Sequence, residues 1–155
     1  MSGNRELLAS VPLFAKLPKK TIERLDRIAV EREFPAGTEM VKEGEAGVGF
    51  FLIVDGVAEV RHAQSTSPVR TLIARDFFGD MSLLDGHPRS ATVAAIAPTR
   101  CLVMTRWDFL AEVRQNPEVA IELLETLSLR VRELEGLLVN VKQTAAAGSE
   151  GGRSC

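Results

Sequence analysis

The chain has 155 residues and a mass of 16.9 kDa, with 45% hydrophobic and 26% charged residues, the balance of one ordinary globular domain. Nineteen basic residues against twenty-one acidic leave a net charge of −2, so no bulk basic field favours nucleic acid and no acidic tail favours a basic partner. The longest unbroken apolar runs, 50–54 and 93–97, are five residues each, far short of the about 20 that a membrane-spanning helix needs.

The N-terminal MSGNRELLAS has no long apolar stretch, so a secretory signal is not expected. Residues 5–29 read as helical. Leu7, Leu8 and Val11 share one face, Pro12 and Pro18 interrupt, and Ile22, Leu25 and Ile28 recur between charged residues as an amphipathic helix. From residue 30 the pattern changes to short apolar or alternating runs separated by Gly, Pro and Asp. Strands are expected at 30–34, 38–42, 49–54, 57–62, 69–74, 90–97 and 100–105. Asp55-Gly56 between FFLIV and VAEV is a hairpin signal. Many short strands at regular spacing point to a barrel or a sandwich, the jelly roll among them.

Helix returns at 105–142. Thr105 can cap a short helix through Val113. Asn116 can cap a longer one, with Pro117 at its first position and Glu118 in its first turn. Leu124, Leu127, Val131, Leu134, Leu138 and Val141 are spaced 3, 4, 3, 4, 3, a heptad a/d seam that extends roughly 27 Å. In a parallel homodimer Arg130 would face Glu135 of the partner helix. Leu123, Leu129 and Leu137 widen the apolar face and leave open a helix lying on its own β domain. The final stretch, 143–155, is small and polar, and disorder is expected there. Of the two cysteines, Cys101 sits in an apolar run and Cys155 ends the chain, so no disulfide framework exists. A reducing, cytoplasmic setting fits.

Chemistry is expected at 78–93, FGDMSLLDGHPRSATV. Gly79 lets the backbone turn or approach a ligand closely. Asp80, Met81, Ser82, Leu83 and Leu84 can form one helical turn, whose opening N–H groups suit an anion. Arg89 then opens a strand, and its planar fork can give two hydrogen bonds to a phosphate. Ser90 adds a hydroxyl, and Ala91 is small and leaves room. The plainer alternative is a surface turn with Arg89 solvated or paired with Asp85.

Two segments resemble the cyclic nucleotide-binding domains, a family that includes regulatory subunits of cAMP-dependent kinase, bacterial catabolite activators and nucleotide-gated channels. The first is MVKEGEAGVGFFLIVDG at 40–56. The second is 78–93, similar to the family's phosphate-binding cassette. Val11-Pro12-Leu13-Phe14-Ala15-Lys16-Leu17 is similar to its lead-in, and the likeness covers about residues 6–140. The resemblance implies a mainly β fold with flanking helices, a jelly-roll β-barrel (double-stranded β-helix) with N-terminal helices and a long C-terminal helix at about 117–142. The domain would span 5–142.

The resemblance also implies roles. Arg89 would bind the cyclic phosphate with Ser90 beside it. Gly79, Met81 and Ser82 would offer backbone groups, and Ala91 its N–H. Asp80 stands where the family usually has Glu for the ribose 2′-OH, one methylene shorter. Val41 and Ile53 would line the base pocket. Ser90 is shared with cAMP-binding activators, which favours cAMP over cGMP. Aligned from Asn116-Pro117, the activators' base-contacting pair falls at Leu134-Glu135, so an apolar cap of Leu134 or Leu138 is expected. Fourteen residues follow Val141, too few for a helix-turn-helix, so no nucleic-acid partner is expected.

Catalysis is not expected. His62 and His87 are the only histidines, and no spacing suggests a triad, a metal site or an iron–sulfur ligand set. The ligand would be a cyclic nucleotide with no further cofactor. A homodimer through the C-terminal helix and an unidentified downstream protein are the remaining expected partners. Asp80 and the apolar cap motivate a second reading, a ligand-independent interaction module on the same fold.

Overall fold

In the computed structural model, which describes residues 2–46, 49–79 and 84–153, with side chains for 4–46, 49–79 and 84–147, the prolines divide the N-terminal helical stretch. Helix α1 is Ser2–Ser10 and α2 is Lys19–Ile28. Between them run tight turns, with Val11 N–H donating to Leu8 O, Phe14 to Val11 and Leu17 to Phe14. These turns bury Val11, Leu13, Phe14 and Leu17. Pro18 cannot donate to a preceding turn, so α2 starts just after it.

Eight strands follow: β1 Val30–Phe34, β2 Glu39–Val41, β3 Gly49–Asp55, β4 Ala58–Arg61, β5 Arg70–Leu72, β6 Phe77–Phe78, β7 Thr92–Ala95 and β8 Thr99–Thr105. They form two antiparallel four-stranded sheets, in the orders β1-β8-β3-β6 and β2-β7-β4-β5. The expected closed barrel is therefore corrected: among the described residues, no ladder joins the two sheets. Consecutive strands β1 and β2 part at the Pro35-Ala36-Gly37 turn, where Gly37 takes a φ of +89°, and enter different sheets.

Strand β3 explains the run FFLIV. Phe51 and Ile53 face the space between the sheets, where they join Val41, Ala58, Leu72, Phe78, Val93 and Cys101. Phe50 and Leu52 alternate to the other face and are fully buried. There Phe50 stacks on Phe109 at 4.5 Å and meets Phe14 edge-on at 6.2 Å. A strand covered on both faces reads as continuous apolar sequence. Each such side chain contributes roughly 1.5–3 kcal/mol on burial.

Helix α3, Arg106–Gln115, is capped by Thr105, whose Oγ1 accepts the Asp108 N–H. It is tied to α2 by a bidentate pair, with Arg24 Nε and Nη2 donating to Glu112 at 2.8 and 2.9 Å, while Asn116 Nδ2 donates to the same carboxylate at 3.0 Å. The bond to Glu112 raises the Arg24 pKa above its ordinary value. Helix α4, Pro117–Arg153, begins where Asn116-Pro117 predicts and runs past 142, because Ala145–Ala147 carry strong helix propensity.

The chain divides into two compact units, Met1–Val119 and Ala120–Cys155. In the second, Leu124, Val131, Leu134, Leu138 and Val141 are each more than half exposed along α4. Among the described residues, no helix is long and apolar enough to cross a membrane.

Candidate functional site

Phe78 is buried at the end of β6, and the chain leaves it through Gly79 at a φ of +91°. A Cβ at Gly79 would lie 2.6 Å from Gly49 O and 2.7 Å from Arg89 Nη1, so only glycine fits this conformation and this approach. The Arg89 guanidinium fills the space. Its Nη1 donates to Gly79 O at 3.0 Å and its Nη2 to Gly49 O at 2.8 Å. Arg89 is only 6% exposed, which for an arginine marks a held group rather than a solvated one. The alternative partner, Asp85, is occupied in its own turn, with Oδ1 accepting the His87 N–H at 2.8 Å.

The backbone of Arg89 is held as firmly as its side chain. Its N–H donates to Glu45 O at 2.8 Å, and its carbonyl accepts the Gly44 N–H at 2.9 Å. Ser90 is exposed and Ala91 half-buried just beyond. Asp80, Met81 and Ser82 lie outside the described residues. Of the turn expected at 80–84 only Leu84 is described, and it is helical, as is Asp85, which was expected in the following loop.

Arg89 lines a cavity of about 460 Å³ at the mouth between the sheets, a volume typical of small-molecule sites. Val41, Met40, Phe51, Val103 and Met104 give it an apolar wall, and Gly49 and Thr105 also border it. Among the described residues, Arg32, Lys42 and Arg89 line it beside one acid, Glu45, a balance that suits an anion. Arg32 sits 5.5 Å over the Phe34 ring. Of the expected base contacts, Val41 lines this cavity. Ile53 is fully buried in the core between the sheets and is not on the cavity wall. Leu134 and Leu138 belong to the second unit and are exposed on α4.

Sequence reasoning passed over Gly49, Phe51, Val103 and Arg32. Phe51 was accessible through strand alternation, since it shares a face with Ile53. The other three depend on pairing: Val30 opposite Val103 and Phe51 opposite Val103 bring β1, β3 and β8 to one mouth. Nearby, Arg106 opens α3 with its guanidinium 3.6 Å from where a Cβ on Gly86 would lie. Its neighbour Trp107 is 77% exposed.

The description "Cyclic nucleotide-binding domain" belongs to the family model that matches residues 31–116. A cyclic nucleotide-gated potassium channel of Rhizobium etli is 38% identical over 123 residues, covering 79% of this chain and 34% of the channel. The cyclic AMP receptor protein of Thermus thermophilus is 32% identical over 127 residues, covering 80% of this chain and 59% of that protein. The crystal structure of the Thermus thermophilus catabolite activator protein superposes with a TM-score of 0.76 at 30% identity, over 84% of this chain and 63% of that one. The chain thus spans about a third of the channel and about three-fifths of the receptor protein.

Proposed function

Because the chain belongs to the cyclic nucleotide-binding domain family, we propose that it is a sensor module that binds a cyclic nucleotide, cAMP in preference to cGMP, without catalysing a reaction. The observation that carries this reading is Arg89, a buried guanidinium fixed at the wall of an apolar cavity. The cyclic phosphate would take hydrogen bonds from Arg89, Ser90 and the backbone of the 79–91 cassette. Asp80 would accept the ribose 2′-OH, and Val41 would meet the base.

Binding is proposed to move α4, with Leu134 or Leu138 touching the base in one state only. A ligand shifts an equilibrium only through such differential contacts. Calorimetric titration of nucleotide-stripped protein with cAMP, then cGMP, tests the reading. Saturable binding at micromolar concentration or tighter supports it, and the ratio of affinities names the ligand. Absence of heat together with an unchanged melting temperature at millimolar nucleotide overturns it.

One observation favours a second reading. Leu124, Val131, Leu134, Leu138 and Val141, five of the six a/d residues of α4, are more than half exposed, as an interaction or dimerisation helix requires. Under this reading the β domain keeps its shape without ligand, and α4 carries the function by pairing.

A further inference from the structure

We infer that Glu43 is a positioning residue for Arg89, an inference that rests on the nucleotide-binding reading above. Arg89 precedes β7, so no strand ladder holds its peptide groups. They are held instead by the segment 42–46 between β2 and β3, through Gly44 N–H and Glu45 O. That segment is exposed from Lys42 to Ala46, so burial does not fix it. Gly44 adopts a φ of +85°, a conformation that packing there does not enforce, since a Cβ would meet nothing within 4 Å.

Among the described residues, Glu43 anchors the segment through both its backbone and its side chain. Its backbone N–H donates to Thr92 Oγ1 at 3.0 Å. Its carboxylate reaches across to the end of β4, where Oε2 accepts the Ala63 N–H at 3.0 Å and Oε1 lies 3.2 Å from His62 Nδ1. The carboxylate therefore ties the segment to β4, while the Thr92 hydroxyl ties it to β7. Any slack in the segment passes to Arg89 through its two backbone bonds, and then to the guanidinium above Gly49 and Gly79. A guanidinium that must meet a phosphate with two parallel bonds tolerates little such displacement. Glu43 touches no ligand on this reading and acts only through Arg89.

Three variants and one exchange measurement test it. Glu43→Ala should weaken cAMP binding about fivefold or more with an unchanged fold by circular dichroism. Glu43→Gln keeps an oxygen for the Ala63 N–H and should recover part of the loss. In an Arg89→Lys background, Glu43→Ala should add little, because residues acting through one group are not additive. Amide exchange of ligand-free Glu43→Ala should quicken at Gly44 and Arg89 and stay slow in β3 and β8. Full additivity with Arg89→Lys, or exchange unchanged at Gly44 and Arg89, overturns the inference. If wild type binds neither nucleotide, the sensor reading fails and takes the positioning role with it. If wild type binds and Glu43→Ala binds equally well, only the positioning role fails.

Discussion

Arg89 couples the two halves of the first-unit chemistry. Its side chain satisfies two backbone carbonyls, Gly49 O and Gly79 O, and on the sensor reading it also meets the phosphate. Truncating one partner of a buried charge pair typically costs 2–5 kcal/mol. Arg89→Ala is therefore expected to weaken cAMP binding by about 30-fold to several thousand-fold, read by calorimetric titration. An unchanged affinity would place the phosphate elsewhere. Cys101 offers a test of the core that needs no ligand. Burial between the sheets pushes its thiol up to about 12, with Asp55 adding to the effect. The folded state keeps this proton at pH values where the unfolded chain loses it. Stability from this group is thus complete below pH 9 and falls as pH rises from about 9 toward 12, by up to about 1.4 kcal/mol per unit. Urea titrations of Cys101→Ala and wild type across that range should show a steeper loss of stability in wild type. Arg89 and Gly79 were legible in the sequence because one short motif carries both. Gly49 was not, because its part in the site comes from a bond to a residue forty positions away.

Secondary-structure elements were legible where local chemistry decides them. Pro18, Thr105 and Asn116-Pro117 mark helix starts that the structure keeps. Strand β6 has two residues, too few to show a period, and exists because Phe51 and Leu52 of β3 pair with Phe78 and Phe77. Whether sheets close into a barrel depends on which distant edges meet, and no local pattern records that. The α2–α3 contact was equally hidden, since Arg24 and Glu112 are 88 residues apart. Glu112→Ala removes the acceptor of both Arg24 and Asn116 and is expected to cost about 1–3 kcal/mol, measured by chemical denaturation. A loss below a few tenths would show that solvent on the half-exposed Arg24 offsets the pair. For α4, the exposed seam makes oligomeric state the informative quantity. If it pairs two chains, sedimentation equilibrium should show a dimer that Leu134→Glu converts to monomer. A wild-type monomer at high concentration would remove the pairing reading.

For the whole molecule, binding and stability are linked. Ligand at 100 times its dissociation constant should stabilise the folded chain by about 2.7 kcal/mol. For a chain of this length that is a melting shift of roughly 5–10 °C. A thermal scan with cAMP, cGMP and adenosine should show the shift for the preferred cyclic nucleotide and little for adenosine, which has no phosphate for Arg89. An equal shift with adenosine would assign the affinity to the base pocket alone. The sequence holds one tryptophan and no tyrosine, and that indole is Trp107, exposed at the opening turn of α3. The protein accordingly has a single indole fluorophore, one residue from the guanidinium that flanks Gly86. Its emission colour and its quenching by iodide report on one known address next to the cassette, so unlabelled protein in a cuvette can serve as its own optical probe.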